Sequence, residues 1–464
     1  MLPKMFLAEM ERMLGEEYQA FLASSRESEI LSLRVNLLKG SAQKLAEQTD
    51  FLLEEVPWAK GGFYYRADAR PGRHPFHEAG AYYIQEASAM APAAALGARP
   101  GERVLDLCAA PGGKSTQLAS DMKGEGLLVS NEIHPARARI LSENIERMGI
   151  RNCLVVNHEP AFLSRRFPQF FDRILVDAPC SGEGMFRKSE QARREWSPET
   201  VKGCAKRQAD ILDQAARMLK EGGRLVYSTC TFSAEENEET VLSFLERHPE
   251  FEPEEAEFGF GRKEADSLYR AENAPHLPGS MRFFPHRVRG EGHFLSCLRR
   301  KESREGNARA GKEESSVSKR RFSYETEKGI SEKEYRSFAE FEKEYLMSGL
   351  KGDCVKFGEQ LYLLPEETPL LKGLKVLRPG LHLGAVRKER FEPSHALALY
   401  LKPRETRYRY ELSKEEAGRY LRGETFPAEG EKGWYLITVG GYSLGWGKLA
   451  GGIMKNHYPK GLRK

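Results

Sequence analysis

Two cysteines each follow a predicted β-strand, and their thiols are the most reactive side chains at those positions. Cys180 lies in the segment Asp-Ala-Pro-Cys-Ser-Gly, which begins at Asp177, and Cys230 lies in Ser-Thr-Cys-Thr, which begins at Ser228. A thiolate is a soft nucleophile that can add to C6 of a pyrimidine ring and later leave it. Addition at C6 makes C5 nucleophilic. Two such cysteines beside a cofactor-binding loop indicate methylation of a pyrimidine at C5.

Asp177 precedes Cys180 by three residues, and its carboxylate can act on the same ring. It can hold a proton at N3 or bind the exocyclic amine, which would stabilise the negative charge that addition places on the ring. A free thiol has a pKa of about 8.5, so the site must favour the anion through positive charge, a helix N-terminus or a sulfonium cofactor. The residues alone do not decide which cysteine attacks.

A glycine-rich loop upstream of both cysteines joins a predicted strand at 104–107 to a predicted helix that begins at Ser115. Small residues let a ligand approach the backbone, and the helix N-terminus offers free N–H groups to a carboxylate or phosphate. The next predicted strand ends at Asn131 and Glu132, where a carboxylate can accept hydrogen bonds from both ribose hydroxyls of a nucleoside cofactor. The predicted cofactor-binding residues of the loop are Cys108, Ala109, Ala110, Pro111, Gly112, Gly113 and Lys114.

Composition limits the remaining possibilities. The chain has 464 residues, which predicts two or three domains. Its 72 basic and 68 acidic side chains give a formal charge of only +4, so any basic surface must be local. The seven cysteines form no Cys-x-x-Cys pair, which favours neither disulfides nor a metal site, and a reducing cytoplasm is expected. No apolar run reaches membrane-spanning length, and we expect a monomer without a membrane partner.

Hydrophobic periodicity divides the chain into regions. Residues 1–97 combine an amphipathic N-terminal helix, a strand near 32–37 and a helix of small residues at 85–96. In 98–300, short apolar runs alternate with helical periodicity, which predicts an α/β domain with a doubly wound sheet. The predicted strands are 104–107, 127–129, 154–156, 174–176, 225–227 and 294–298.

The rest of the chain begins with a change in composition. Residues 301–325 are nearly all Lys, Arg, Glu, Ser and Gly, which predicts a linker. In 326–464, a helix is expected at 338–346, and short strands at 361–364 and 434–439 are separated by Gly and Pro, as in a small barrel.

Three motifs in this order resemble the Nop/Sun family of RNA (cytosine-5) methyltransferases. They are the loop 108–114, the segment 177–182 and the segment 228–231, each at the end of a predicted strand. Arg34-Val35-Asn36 and residues 85–88 are similar to the N-terminal motifs of the family. The continuation 182–188 and the C-terminal segment 455–463 resemble the bacterial subgroup that modifies small-subunit ribosomal RNA.

The resemblance implies a Rossmann-like class I methyltransferase domain, an N-terminal α+β RNA-binding domain and a C-terminal PUA-like domain. It implies that the 108–114 loop, Glu132 and Asp177 bind S-adenosyl-L-methionine. Glu159 stands where the family usually has an aspartate near the adenine, and a longer carboxylate can still accept the amino group's hydrogen bond. The family assigns nucleophilic attack to the position of Cys230, and release of the covalent intermediate to that of Cys180.

Other side chains are candidates for RNA contact, with 16S ribosomal RNA or the small ribosomal subunit as the expected partner. Lys188 follows the Cys180 motif closely enough to touch RNA, whereas Arg282 and His286, before the last predicted strand, could serve RNA or the fold. The C-terminal segment combines basic and aromatic groups suited to phosphate contacts and stacking. Its predicted RNA-binding residues are Lys455, His457 and Lys460.

Three alternatives stay open from the sequence. A transfer RNA cytosine-5 methyltransferase would use the same residues. A DNA cytosine-5 methyltransferase would place its nucleophile after the Pro-Cys element and would not need Cys230. A noncatalytic RNA-binding factor for ribosome assembly could retain the fold, but the loss of Cys180, Cys230 or the cofactor loop that would favour it is not observed.

Overall fold

A computed structural model describes residues 2–256, 277–302, 332–387 and 390–463. The linker predicted at 301–325 lies outside the described residues from 303 onward. The predicted domain boundaries therefore remain predictions.

The N-terminal region combines short helices with a four-stranded antiparallel sheet. The predicted amphipathic helix and the predicted strand near 32–37 are both present. The strand order is β2-β3-β1-β4. The elements are α1 (Lys4–Leu14), α2 (Tyr18–Ser24), β1 (Ser32–Val35), α3 (Ala42–Gln48), β2 (Leu52–Glu55), β3 (Gly62–Tyr65), α4 (Pro75–Glu78) and β4 (Tyr82–Ile84).

The helix predicted at 85–96 is shorter than expected. Residues 85–87 are not helical, Ser88–Met90 forms one 3-10 turn, and the α-helix α5 spans only Ala91–Leu96. The Glu86 carboxylate accepts hydrogen bonds from the backbone N–H groups of Ser88 (3.0 Å) and Ala89 (2.9 Å), which ends the extended segment there. Pro92 then lies in the first turn of α5, where its missing N–H costs nothing.

The central region forms a doubly wound sheet, and each of its six predicted strands is present. The strands run in the order β10-β12-β9-β8-β5-β6-β7, and β11 pairs with β12. Strands β5 to β9 are parallel neighbours, whereas β10, β11 and β12 pair antiparallel. The elements are β5 (Arg103–Asp106), α6 (Gly113–Asp121), β6 (Leu127–Asn131), α7 (Pro135–Arg147), β7 (Cys153–Val156), α8 (Pro160–Arg166), β8 (Phe171–Asp177), α9 (Glu190–Glu195), α10 (Pro198–Met218), β9 (Leu219–Thr229), α11 (Glu238–Arg247), β10 (Phe251–Pro253), β11 (Ser280–Phe283) and β12 (His293–Arg300).

Both faces of this sheet are buried. Successive residues of a strand point to opposite faces, so Val104 joins the core that contains α5, while Leu105 joins the core that contains Leu212 of α10. Burial on both faces holds the strands in position. The carboxyl ends of the parallel strands lie at one edge of the sheet. Ligands of doubly wound sheets bind at that edge.

The C-terminal region contains two small sheets, and the helix predicted at 338–346 and the strands predicted at 361–364 and 434–439 are present. The strand orders are β13-β14-β16-β17 and β18-β20-β21-β22-β19. The elements are α12 (Glu332–Tyr345), β13 (Cys354–Phe357), β14 (Gln360–Leu363), β15 (Val376–Pro379), β16 (Leu381–Arg387), β17 (Arg390–Pro393), α13 (His395–Tyr400), β18 (Arg409–Leu412), α14 (Lys414–Leu421), β19 (Phe426–Pro427), β20 (Gly433–Val439), β21 (Tyr442–Ala450) and β22 (Ile453–Asn456).

Strand β15 leaves the C-terminal region and joins the central sheet. It pairs antiparallel with β7 at the sheet edge, with Val376 opposite Val156 and Pro379 opposite Leu154. The Arg378 guanidinium forms an ion pair with Glu146 of α7. The C-terminal region therefore covers an edge of the central sheet that would otherwise expose unpaired backbone groups.

Candidate active site

The two predicted thiols meet at the carboxyl edge of the central sheet. Cys180 follows β8 and Cys230 follows β9, and these two strands are parallel neighbours. Their Sγ atoms lie 3.2 Å apart. The Cys230 thiol and burial together raise the pKa of Cys180 well above its usual range. Two anionic sulfurs at this distance would repel each other, so the geometry favours a pair that carries at least one proton.

The loop that carries Cys180 is fixed by a buried carboxylate. Glu236 accepts hydrogen bonds from the Ser181 N–H (3.0 Å) and from the Gln208 amide (2.8 Å), and the Ser181 hydroxyl also donates to it. The same Gln208 amide donates to the Pro179 carbonyl at 3.1 Å. Helix α10 thus holds the backbone on both sides of Cys180, which limits the positions that its thiol can take.

A second buried carboxylate fixes the segment after Cys230. Glu183 accepts hydrogen bonds from the Phe232 N–H and from the Trp196 indole, each at 2.8 Å. Burial raises the pKa of Glu183 to about 7. The Gly184 N–H donates to the Cys230 carbonyl at 2.9 Å, and a Cβ at Gly184 would come within 3.0 Å of that oxygen. The glycine therefore lets the two thiol loops approach each other.

Asp177 lies at the end of β8, between the cofactor loop and the thiols. Its Oδ2 accepts from Lys114 Nζ at 2.8 Å, and its Oδ1 accepts from the Ser228 hydroxyl at 2.8 Å. His293 Nε2 lies 3.4 Å from Oδ1. Burial alone would raise the pKa of Asp177, but Lys114 and His293 together hold it well below its usual range. The site therefore pairs an ionised carboxylate with a buried cation.

The predicted cofactor loop runs from β5 into α6. Gly112 is the N-cap of α6 at φ +115°, and no side chain caps the helix, so the first N–H groups of α6 are available to a ligand. Asp106 accepts from the Ser115 hydroxyl through Oδ2 (2.6 Å), while its buried Oδ1 has no partner among the described residues. Burial raises the pKa of Asp106 to about 7. These features suit a ligand that carries a carboxylate and a cationic group.

The predicted ribose ligand Glu132 is buried directly after β6. Its Oε1 accepts from the His134 N–H at 2.9 Å, and its Oε2 lies 3.4 Å from an Arg137 nitrogen. Asn157 after β7 donates to the Glu132 carbonyl at 2.7 Å. Glu159 is exposed at the N-cap of α8, on the same edge of the sheet. The residue set therefore fits a nucleoside cofactor, and the role of Glu159 stays a prediction.

Sequence reasoning noticed Arg34 but missed what it does. Its guanidinium is buried and donates to the Thr116 hydroxyl (2.7 Å), to the Gly113 carbonyl (3.0 Å) and to the Gln85 side chain (3.2 Å). Strand β1 of the N-terminal region is thereby joined to the first turn of α6. A charged residue inside an otherwise buried strand was the available signal, but its partners are distant in sequence.

Two of the predicted RNA contacts are structural instead. Arg282 is only 2% exposed, because its guanidinium forms a two-point ion pair with Glu238 (2.7 and 2.6 Å) and donates to the Phe232 carbonyl. The side chain of His286 is 5% exposed and binds Glu17 at 2.8 Å. The Arg282 guanidinium and His286 Nε2 are thus occupied inside the protein, and His286 Nδ1 is buried without a partner among the described residues. Neither side chain is accessible to RNA in this arrangement.

The remaining predicted contacts differ in accessibility. Lys188 lies 3.6 Å from Glu291 and is partly buried. Lys455 and Lys460 are exposed, whereas His457 is half-buried with its ring 4.5 Å from that of Trp434. Aromatic groups of the C-terminal region that could have stacked on bases are buried: Trp446 and Tyr458 lie in its cores.

Within the described residues, no cluster of three or more His, Cys, Asp or Glu side chains could hold a metal ion. In the same part of the chain, no helix is both long and apolar enough to cross a membrane. All seven cysteines are unbridged.

Family models match the chain in four segments. Residues 93–299 match the model described as 16S rRNA methyltransferase RsmB/F, and residues 2–87 match the N-terminal domain of 16S rRNA methyltransferase RsmF. Residues 340–401 match the first C-terminal domain of RsmF rRNA methyltransferase, and residues 407–464 match the methyltransferase RsmF PUA domain.

Similar proteins cover almost the whole chain. Ribosomal RNA small subunit methyltransferase F of Erwinia tasmaniensis is 33% identical over 99% of this chain and 96% of its own length. The protein of the same name from Vibrio cholerae is 33% identical over 99% of this chain and 97% of its own. The crystal structure of a methyltransferase homolog from Pyrococcus horikoshii is 30% identical, with a TM-score of 0.56, and covers 65% of this chain and 95% of that chain.

Proposed function

The chain belongs to the family of ribosomal RNA small subunit methyltransferases F, and we propose that it methylates C5 of a cytosine in 16S ribosomal RNA with Cys230 as the nucleophile. The protein is an RNA methyltransferase that uses S-adenosyl-L-methionine. The observation that carries the proposed mechanism is the pair of thiols 3.2 Å apart, beside an ionised Asp177 that is held by Lys114.

The cofactor site is assigned to the carboxyl ends of β5 and β6. The free N–H groups at the start of α6 suit the methionine carboxylate, and Glu132 suits the ribose hydroxyls. The unpartnered Oδ1 of Asp106 leaves one carboxylate oxygen for the amino group of the cofactor. When bound, S-adenosyl-L-methionine supplies the methyl group. The protein contributes the orientation of both reactants and the nucleophile.

We assign the attack to Cys230, the position that carries the nucleophile in the family, and the remaining S–H group of the pair to Cys180. The raised pKa of Cys180 keeps its S–H group intact, and that group can donate to the sulfur of Cys230. The Cys230 thiolate forms a bond to C6 of cytosine, and the electron pair of the C5=C6 double bond moves toward C5 and the ring. C5 then becomes nucleophilic enough to accept a methyl group.

Asp177 and Lys114 act on the polar edge of the same ring. The lowered pKa of Asp177 keeps it ionised, so its carboxylate accepts a hydrogen bond from the exocyclic amine. Lys114, 2.8 Å from Asp177, places positive charge beside the ring as negative charge develops there. Both groups are partly shielded from solvent, which strengthens their interaction with the base.

Release of the product reverses the addition. After methyl transfer the C5 proton passes to a water molecule, the C–H electron pair re-forms the C5=C6 double bond, and the electron pair of the C6–S bond returns to Cys230. The S–H group of Cys180 stabilises the departing thiolate at the distance that separates the two sulfurs, 3.2 Å. Cys180 is therefore assigned to breakdown of the covalent intermediate.

The test is to trap that intermediate. Wild-type protein, Cys230→Ala and Cys180→Ala are each incubated with S-adenosyl-L-methionine and labelled RNA, and then run on a denaturing gel. Cys180→Ala should accumulate a slow band of protein bound to methylated RNA. Cys230→Ala should give neither adduct nor methylation, and Cys204→Ala, a buried cysteine of α10, serves as the matched control.

The substrate arms of the same assay separate the competing functions. Small ribosomal subunits, free 16S ribosomal RNA, transfer RNA and DNA are offered in parallel. Preference for transfer RNA or DNA would replace the proposed substrate, and an adduct that survives Cys230→Ala but vanishes with Cys180→Ala would exchange the two thiol roles. The absence of methyl transfer to every substrate would leave only a role in RNA binding.

The remaining assignments complete this proposal. We assign RNA binding to 1–97 and to the C-terminal region 326–464, methyl transfer to 98–300, and a linking role to 301–325. A cytoplasmic monomer fits an enzyme with seven unbridged cysteines that acts on ribosomal RNA. Sedimentation of the purified protein, alone and with RNA, tests the monomeric state.

A further inference from the structure

His293 is a buried histidine whose ring faces the active-site carboxylate. It is 3% exposed, and its Nε2 lies 3.4 Å from Asp177 Oδ1. Among the described residues, Asp177 is the only acidic group within 4.0 Å of this ring. The sequence motifs did not assign a role to His293.

The register of the sheet places His293 beside the nucleophile as well. In the antiparallel pair of β12 and β9, Leu295 lies opposite Ser228 and Phe294 lies opposite Thr229. One further step along the same register brings His293 opposite Cys230. His293 therefore stands at the first position of β12, where the strand enters the site that β8 and β9 build.

We propose that His293 is a positioning residue that holds the Asp177 carboxylate in the orientation required by the target cytosine. This inference rests on the proposed function, because it names a further residue of that same site. His293 acts through Asp177 and is not assigned contact with the base.

The contacts of Asp177 explain why a third group is needed. Lys114 fixes Oδ2 from the cofactor helix, and Ser228 fixes Oδ1 from the neighbouring strand. A serine hydroxyl can rotate and leave the carboxylate free to turn, whereas an imidazole ring packed in the sheet cannot. His293 Nε2 therefore limits rotation of the carboxylate at Oδ1, the oxygen that Lys114 does not bind.

The position would otherwise suit an apolar residue. Leu295 and Cys297 share the face of β12 with His293, and both are fully buried in the hydrophobic core. A leucine at position 293 would continue that face without a polar group to satisfy. A histidine that faces only a carboxylate at this position is thus better explained by Asp177 than by packing.

His293 Nε2 lies 3.4 Å from Asp177 Oδ1 and forms no hydrogen bond among the described residues, so the ring acts by its position. The test compares His293→Leu with the conservative variant His293→Gln, which keeps a polar side chain beside Asp177. His293→Leu should lower kcat for RNA methylation by about 10-fold to 100-fold, because small misplacements of reacting groups have effects of that size. KM for RNA and the calorimetric affinity for S-adenosyl-L-methionine should stay within about 2-fold of wild type. His293→Gln should recover most of kcat.

A control separates this effect from histidine loss in general. His248 lies at the C-terminal end of α11 and binds Asp213 at 3.0 Å, so His248→Gln should leave kcat unchanged. A wild-type kcat in His293→Leu would overturn the inference. The inference would also be overturned if His293→Gln were as impaired as His293→Leu and both variants had a lower melting temperature and a weaker cofactor affinity.

Crystal structures of the two variants test the inference independently of activity, and hence of the proposed function. In His293→Leu the Asp177 carboxylate should turn away from its wild-type orientation, and in His293→Gln it should keep that orientation. An unmoved Asp177 in His293→Leu would overturn the positioning role. Failure of the wild-type protein to methylate any RNA would instead refute the proposed function.

Discussion

Titratable groups at the carboxyl edge of the sheet are shifted in opposite directions. The pKa of Asp177 is lowered, whereas burial raises the pKa of Asp106 to about 7 and that of Glu183 to about 7. Asp177 is therefore ionised at neutral pH, whereas Asp106 and Glu183 change protonation state near pH 7. Such a separation of carboxyl pKa values is typical of active sites.

Lys114 should control the ionisation of Asp177. In Lys114→Met, burial becomes the dominant influence on Asp177 and raises its pKa. We expect kcat to fall by about 100-fold and the acid limb of the pH-rate profile to move toward neutral pH, because the carboxylate becomes protonated sooner. Single-turnover methylation between pH 5 and pH 9 measures both effects.

The matched control for that experiment is Lys123→Met, which removes an exposed lysine just after the same helix. It should leave the pH-rate profile unchanged. A Lys114→Met profile that superimposes on that of wild type would show that Lys114 does not set the charge of Asp177.

Asp106 should make the stability of the cofactor-free protein depend on pH. Its folded pKa of about 7 lies above the usual value of 3.8. The contribution of this carboxyl to the free energy of unfolding is therefore fully present below the unfolded pKa and is lost as the pH rises to about 7. A shift of this size corresponds to at most about 4 kcal/mol. Asp106→Asn should therefore gain stability relative to wild type between pH 5 and pH 8. Urea unfolding at both pH values measures the difference, and a constant difference would contradict it.

At the residue scale, the sequence predicted the groups that belong to local motifs. Both thiols, Asp177 and Glu132 stand at strand ends, where a short pattern identifies them. Residues whose role depends on distant partners could not be predicted in this way: Arg34 binds Thr116, 82 positions away, and Arg282 binds Glu238, 44 positions away. Such pairs form only when the fold brings them together.

At the element scale, the predicted strands were correct where both faces are buried. Strands of the parallel sheet read as short apolar runs because the core covers both of their sides. Strand β15 lacks that signal, since it lies at a sheet edge and its partner β7 is more than 200 positions away in the sequence. The helix predicted at 85–96 begins later than expected, because the Glu86 carboxylate binds the backbone N–H groups of Ser88 and Ala89.

The ion pair that fastens β15 to α7 should be strongly coupled. Arg378 is mostly buried, and it pairs with Glu146 while also donating to the Ser142 hydroxyl at 3.1 Å. Arg378→Met should lower the free energy of unfolding by about 3 kcal/mol, because it leaves a largely buried carboxylate without its partner. Glu146→Gln in the same background should restore part of that loss, measured by urea unfolding in a double-mutant cycle.

Arg387 provides the control for this cycle. It pairs with Glu359 at the surface, where both side chains are 59% exposed. Arg387→Met should therefore lower the free energy of unfolding much less than Arg378→Met does, because solvent screens an exposed ion pair. Equal losses for Arg378→Met and Arg387→Met would mean that the β15 contact does not hold the two regions together.

At the scale of the whole molecule, the N-terminal and C-terminal regions share one hydrophobic core. The rings of Phe76 and Tyr442 lie 5.2 Å apart, and Lys44 donates to the Gly441 carbonyl at 2.9 Å. Tyr458 donates to Glu78 at 3.3 Å. Together with β15, these contacts fix the C-terminal region against the rest of the protein. An RNA bound by the exposed lysines of the C-terminal region would therefore present to the thiols a nucleotide at a fixed distance along the RNA strand.

Those lysines allow a test of how the whole molecule selects RNA. Lys455 and Lys460 are exposed and form no ion pair within the described residues. Contacts with phosphate would therefore break no existing ion pair. Lys455→Glu combined with Lys460→Glu should weaken RNA binding and lower the salt dependence of log K by about 0.7 to 0.9 per lost phosphate contact. Cofactor affinity should not change, because the proposed cofactor site lies in the central sheet. Filter binding at several salt concentrations measures the slope.

The control is Lys372→Glu, which reverses the charge of an exposed lysine in the loop before β15. General charge repulsion acts on both surfaces, so Lys372→Glu measures its contribution. Lys372→Glu should weaken RNA binding less than the paired C-terminal variant does. If the C-terminal variant keeps the wild-type salt slope and methylates small subunits at the wild-type rate, the segment that ends the chain does not contact phosphate. Site selection would then have to come from the N-terminal region, which reaches the cofactor helix directly through Arg34 and Thr116.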